Sequence, residues 1–163
     1  MSVTLRPATV DDLPIINGIY NHYVQNSTAT YQTVLNTAEQ RRWWFDIHGP
    51  KHPVLVAVEE NEVLGWGSLS RLHERQAFAH TVEDSVYIHP DRQGRGLGKL
   101  LLAELIRLAR EIGHHTVLAS ISADQEASLA LHAKFGFEKV AHMREVGYKF
   151  DRWLDVVWMQ KMV

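Results

Sequence analysis

The 163-residue sequence contains no cysteine, which excludes disulfides, thiolate metal sites and a cysteine nucleophile. It has no apolar run long enough to span a bilayer and no signal-peptide pattern at its start, so a cytoplasmic location without membrane contact is expected. It has no large surplus of either charge: 17 Lys and Arg stand against 19 Asp and Glu, which leaves no global attraction to nucleic acid. Low-complexity tracts, internal repeats and linker-like stretches are also missing, so a single domain over 1–163 is expected. Histidine is plentiful, but its spacing does not suit a metal. Gly49-Pro50 interrupts the helical spacing of His48 and His52, and His114 and His115 are adjacent, so no metal site is expected.

What remains is a chain with 45% hydrophobic and 22% charged residues, ordinary for a globular protein. VTLRPA (3–8) reads as a first strand. Thr9 and Asp12 have capping-box spacing ahead of the apolar series Leu13, Ile16, Ile19, Tyr20 and Tyr23, which predicts a helix. Thr37 and Gln40 repeat that spacing before a second helix that should stop at Gly49-Pro50. VLVAVE (54–59) and VLGWGSL (63–69) form a hairpin, and a further strand runs from about Thr81 to Ile88. A long amphipathic helix follows from Leu97 to Ile112, stopped by Gly113. TVLASI (116–121) is a buried strand. A helix over 126–135 ends at Gly136, with Phe137 placed to close its cap, and strands near 138–146 and 153–162 finish the chain. This order predicts an α/β fold with a mixed, largely antiparallel twisted sheet flanked by helices on both faces.

Between the 81–88 strand and the long helix lies DRQGRGLGKL. A dinucleotide fingerprint would need glycine where Lys99 stands. A Walker loop would need glycine at Gln93 and Ser or Thr at Leu100. The pattern present is Q-x-x-G-x-G, on Gln93, Gly96 and Gly98. Successive backbone N–H groups in such a turn, with the positive end of a helix, make an anion site. Gln93, Gly94, Arg95, Gly96, Leu97, Gly98 and Lys99 therefore form a candidate phosphate or pyrophosphate cradle, with Arg92 adding charge. The competing reading is a glycine-rich turn carrying solvated basic residues.

Taken together, SVYIHPDRQGRGLG, the capped first helix and ASLALHAKFGF resemble the GCN5-related N-acetyltransferases, or GNAT superfamily. IYNHYV (19–24), HTVEDSVYIHP (80–90) and GYKFDRWLDVVWMQ (147–160) are most similar to its phosphinothricin and methionine-sulfoximine N-acetyltransferase branch. The resemblance implies the GNAT fold, acetyl-CoA as co-substrate, and transfer of an acetyl group to the primary amine of a small, amino-acid-like acceptor. It implies that Glu83 is the general base and that His132 protonates the departing thiolate. Val86, Tyr87 and Ile88 are expected to offer backbone groups to acetyl-CoA, one N–H near Ile88 binding the oxyanion. Gln125, where relatives commonly have Asn, and Ser128 are expected to reach pantetheine or phosphates.

Acceptor-binding residues implied by the resemblance are His73, Arg75, Glu83, Asp84 and Ser85. Relatives often carry Trp followed by Arg or Lys where this chain has Leu72 and His73, and His where it has Asp84. KFDRW (149–153) is read as an acceptor wall or a subunit contact. Trp43 and Trp44 are read as helix packing or a homodimer interface, where aromatic residues are enriched. Two alternatives stay open on the sequence: acetylation of a protein or peptide N-terminus, and a non-catalytic acyl-CoA sensor.

Overall fold

In a computed structural model, which describes residues 2–163, both start signals close as hydrogen bonds. Thr9 N–H donates to the Asp12 carboxylate at 2.8 Å, opening a 3-10 turn (Val10–Asp12) that leads into α1 (Leu13–Asn26). Gln40 N–H donates to Thr37 Oγ1 at 3.1 Å while the Thr37 N–H donates to Gln40 Oε1 at 2.9 Å, a reciprocal cap for α2 (Ala38–Asp46). The strands are β1 (Thr4–Pro7), β2 (Val54–Glu59), β3 (Glu62–Arg71), β4 (Thr81–Ile88), β5 (Thr116–Ser122), β6 (Glu138–Lys149) and β7 (Arg152–Met162). The remaining helices are α3 (Leu97–Ile112), between β4 and β5, and α4 (Glu126–Lys134), between β5 and β6. No helix among the described residues is long and apolar enough to cross a membrane.

The strands form one seven-stranded sheet in the order β1-β2-β3-β4-β5-β7-β6, and among its pairs only β4–β5 is parallel. Two cores flank it. α3 buries Leu97, Leu101, Leu102, Leu105, Ile106 and Ala109 against Leu69, Val82, Val117, Ala119 and Val157. On the other face Leu13, Ile16 and Ile19 of α1 pack on Val54, Val56 and Trp66. Burying a side chain such as Leu101 or Leu105 stabilises the fold by about 1.5–3 kcal/mol relative to leaving it in water.

Three local outcomes differ from the sequence reading. β6 and β7 run on to a two-residue turn at Phe150-Asp151, both with positive φ (53° and 57°). That backbone matches strand twist without the usual glycine, so the turn left no sequence signal. Trp44 packs edge-on against Trp66 at 5.4 Å, whereas Trp43 is 65% exposed. Lys149, read as acceptor wall or subunit contact, is buried. Its ammonium donates to the carbonyls of Ser27 (2.7 Å), Thr30 (2.8 Å) and Tyr23 (3.4 Å), tying the hairpin to the end of α1 and the loop after it.

Candidate active site

β4 and β5 pair over three residues only, Thr81–Glu83 against Thr116–Leu118, and then separate. β4 stays bonded to β3 along its other edge, and the bond from His89 N–H to the Leu64 carbonyl fixes the phase of that ladder. Antiparallel alternation then turns the backbone groups of Glu83, Ser85 and Tyr87 toward β3, and those of Val86 and Ile88 toward the space β5 has left. This corrects the expectation for Tyr87. Its backbone belongs to the ladder, and its ring lies in an aromatic cluster with Trp66 (5.1 Å) and Tyr20 (5.4 Å). Val86 and Ile88 do present backbone groups to the opening, and the Tyr23 hydroxyl donates to the Ile88 carbonyl.

The opening forms a cleft of about 550 Å³ that reaches the start of α3. There Gly94 and Gly96 adopt φ of +77° and +76°, a left-handed turn that aims successive N–H groups into one concavity. At Gly98 a Cβ would stand 3.3 Å from Leu131 Cδ2, so the small residue lets α3 approach α4. Gln93 donates to the Tyr23 hydroxyl at 2.8 Å and lines the cleft, as do Leu97 and Arg92. Arg95 and Lys99 do not. Arg95 forms an ion pair with Glu59 at 2.9 Å outside the cleft, and Lys99 lies exposed on α3. The expected ring of positive side chains is therefore reduced to Arg92, itself bonded to Glu62 at 3.0 Å.

Strand alternation puts neighbouring Glu83 and Asp84 on opposite sides of the sheet. Glu83 and Ser85 share the face of Tyr87 and α1, while Asp84 shares the face of Val82, Val86 and α3. Burial, and after it the charge of Asp84, raise the Glu83 pKa to about 7. Asp84 meets His132. The His132 Nε2 lies 3.0 and 3.1 Å from the two Asp84 oxygens and its Nδ1 lies 2.8 Å from the Ser128 carbonyl, the two side chains being 5% and 4% exposed. Burial opposes the charged imidazole, but the hydrogen bonds it donates to Asp84, the carboxylate's charge and the bond to the Ser128 carbonyl outweigh it, and the His132 pKa ends above its ordinary value. Asp84, expected among the acceptor residues, thus faces away from Glu83 and grips His132.

The loop after α1 closes the top of the cleft. Thr28 donates to the Asp124 carboxylate at 2.9 Å, and Gln125 donates from its amide nitrogen to Thr28 Oγ1 at 2.8 Å, leaving Gln125 Oε1 as its remaining acceptor. Ser122 and Arg152 also bond Asp124, so one carboxylate joins β5, β7 and the loop. Tyr31 from the same loop reaches Ser120 of β5 at 3.4 Å on the Glu83 side. Burial raises its pKa, and the charges of Glu83 and Asp124 push the same way. Tyr23, Tyr31 and Ser120 were not identified from sequence. Tyr23 sits inside a quoted motif, but nothing in the spacing said that its hydroxyl would reach β4.

His73 and Arg75 are not brought to the cleft. They lie exposed in the β3–β4 connection, where His73 stacks on Phe78 at 5.1 Å and accepts a 3.1 Å bond from the Arg75 N–H. The assembled site therefore comprises a carboxyl titrating near neutrality on one face of β4, a proton-bearing imidazole on the other, and between them a gap in the sheet lined by backbone donors.

Residues 16–137 match the family model for the acetyltransferase (GNAT) family. The chain is 42% identical over 159 residues to the L-amino acid N-acyltransferase MnaT of Escherichia coli, covering 97% of this chain and 92% of that protein. It is 43% identical over 162 residues to an L-methionine sulfoximine/L-methionine sulfone acetyltransferase of Pseudomonas aeruginosa, covering 98% and 94%. A solved structure of a phosphinothricin acetyltransferase from Sinorhizobium meliloti in complex with acetyl-CoA superposes with a TM-score of 0.96 at 35% identity, over 100% of this chain and 89% of that one. The split sheet, the turn at α3 and these likenesses agree, and the chain belongs to the GNAT family of N-acetyltransferases.

Proposed function

We propose that this enzyme transfers the acetyl group of acetyl-CoA to the primary amine of a small, amino-acid-like acceptor. The observation that carries the reading is the gap between β4 and β5, with Glu83 on one side of it and His132 on the other. The residues present fit acetyl-CoA: the left-handed glycine turn suits a pyrophosphate, the Val86 and Ile88 backbone and Gln125 Oε1 suit pantetheine amides, and Ser128 lines the same wall. Bound there, acetyl-CoA supplies an acetyl group activated as a thioester.

Glu83 is the general base. A carboxylate of ordinary pKa is a weak acceptor for an ammonium proton, and burial brings Glu83 to about 7, near the working pH. The Ile88 N–H, turned into the gap, binds negative charge developing on the carbonyl oxygen. His132 holds a proton at Nε2 on the cofactor side of the strand. Tyr31, beside Glu83 and Ser120, forms part of the acceptor pocket, with Ser85 on the same face.

The amino-acid-like acceptor is supported by the substrates for which two of the relatives are named. A homodimer and a cytoplasmic setting belong to the same reading. Tyr148, Phe150 and Trp153 cluster exposed at the β6–β7 turn, which suits a second copy of the chain. Release of free thiol from acetyl-CoA, measured against methionine sulfoximine, methionine sulfone, phosphinothricin, common amino acids, polyamines and short peptides, tests the reaction. Turnover on small amino acids is expected. Turnover on peptides alone, or acetyl-CoA binding without any turnover, would overturn the proposal.

A further inference from the structure

The Asp84–His132 pair raises a question that the reaction alone does not answer. A carboxylate and an imidazole removed from water lose much of their hydration, and apolar side chains of similar size often serve stability as well or better. Buried as it is, this pair also borders the cleft. The ring edge of Phe137, 4.9 Å away, covers the imidazole, and among the described residues Asp84 is the charged group that acts on it. Across the strand, Asp84 is, among the described residues, also the charge acting on Glu83, whose titratable neighbours are the phenols of Tyr31 and Tyr87.

We propose that Asp84 is a positioning residue for acetyl transfer: by gripping Nε2 of His132 while the Ser128 carbonyl holds Nδ1, it keeps the ring in one orientation and one charge state, and it couples the groups on the two faces of β4. The proposal rests on the reaction proposed above. Nδ1 faces a carbonyl oxygen and Nε2 a carboxylate, both acceptors, so the doubly protonated imidazolium is the form that satisfies both contacts. Losing the Nε2 proton would set a nitrogen lone pair against carboxylate oxygens at 3.0–3.1 Å. His132 therefore keeps that proton until a base stronger than imidazole stands in the cleft. The same carboxylate makes Glu83 a better proton acceptor, because a like charge nearby disfavours its ionised form. One side chain thus moves base and proton donor in the same direction on the pH scale.

The test is Asp84→Asn, read in two ways. In the substrate-free protein, the NMR titration midpoint of the His132 ring should fall by about one pH unit or more once the carboxylate's charge is gone. In the pH profile of kcat/KM, both limbs should move toward acid, so activity on the alkaline side drops about tenfold while the acid limb retains more of its maximum. Asp84→Glu, which keeps the charge, should return both readouts toward wild type. An unchanged His132 midpoint, or a profile lowered uniformly without moving, would leave Asp84 a merely structural residue and overturn the proposal. If the wild-type enzyme acetylates no amine in the panel, the proposed function falls. The His132 titration alone then supports or overturns the grip of Asp84.

Discussion

Replacing Glu83 by glutamine removes a proton acceptor while preserving the size and most of the hydrogen bonding of the side chain. General-base catalysis contributes about 10²–10⁴-fold, so kcat should fall by that factor, about 2.7–5.4 kcal/mol of barrier. Affinity for acetyl-CoA should stay nearly unchanged, because the Glu83 side chain points to the face opposite the α3 core. The same substitution should stabilise the protein. Glu83 titrates near 4.5 when unfolded and at about 7 when folded. Below the lower value both states are neutral and the buried carboxyl costs nothing electrostatically. As pH rises from 4.5 through 7 the unfolded state ionises first, and the folded state loses about 3 kcal/mol relative to it. Glu83→Gln escapes that loss, so its melting temperature should exceed that of wild type at pH 8 and converge with it at about pH 4. Stopped-time thiol release and calorimetric melting at the two pH values read both effects. Turnover within about threefold of wild type would refute the base assignment, and equal melting at pH 8 would refute the buried-carboxylate argument.

Gly96→Val places a β-branched residue at φ +76°, where nothing within 4 Å obstructs the side chain, so the cost is backbone strain, about 1–3 kcal/mol. Titration calorimetry should show weakened acetyl-CoA binding, and unchanged affinity would remove the turn from the phosphate site. Lys149→Met strips three carbonyls of their donor and should lower stability by about 2–4 kcal/mol in urea unfolding. Lys149→Arg should not restore it, because a planar guanidinium cannot meet three carbonyls that converge on a compact ammonium.

Element ends were legible because short-range chemistry sets them: the Thr37–Gln40 box and the Gly113 and Gly136 stops act within one helical turn. The opposite orientations of Glu83 and Asp84 follow from strand alternation alone, yet the sequence reading grouped both with the acceptor. The placement of Tyr31 was not legible. It depends on Lys149 and Asp124 holding the loop after α1, contacts roughly a hundred residues apart in sequence that leave no periodic trace. Arg95 and Lys99 misled for a related reason. Positive charge beside a glycine turn suggests phosphate, but Glu59 on the far side of the hairpin captures one, and the helical turn points the other into solvent. His73 and Arg75 were carried over by position in a loop, and a loop's length says little about where its tip lies.

A sheet joined across its middle by three residue pairs is unfinished along that seam, with four of its strands on one side and three on the other. A ligand that lies along the seam and bonds Val86 and Ile88 would act as an eighth strand, completing the ladder that β5 abandons. Cofactor binding and folding would then share one free energy: at a hundredfold excess over Kd the ligand adds about 2.7 kcal/mol to stability. The α3 core already bridges the two parts, and the ligand would add to that hold to an extent set by how much of it surrounds the protein.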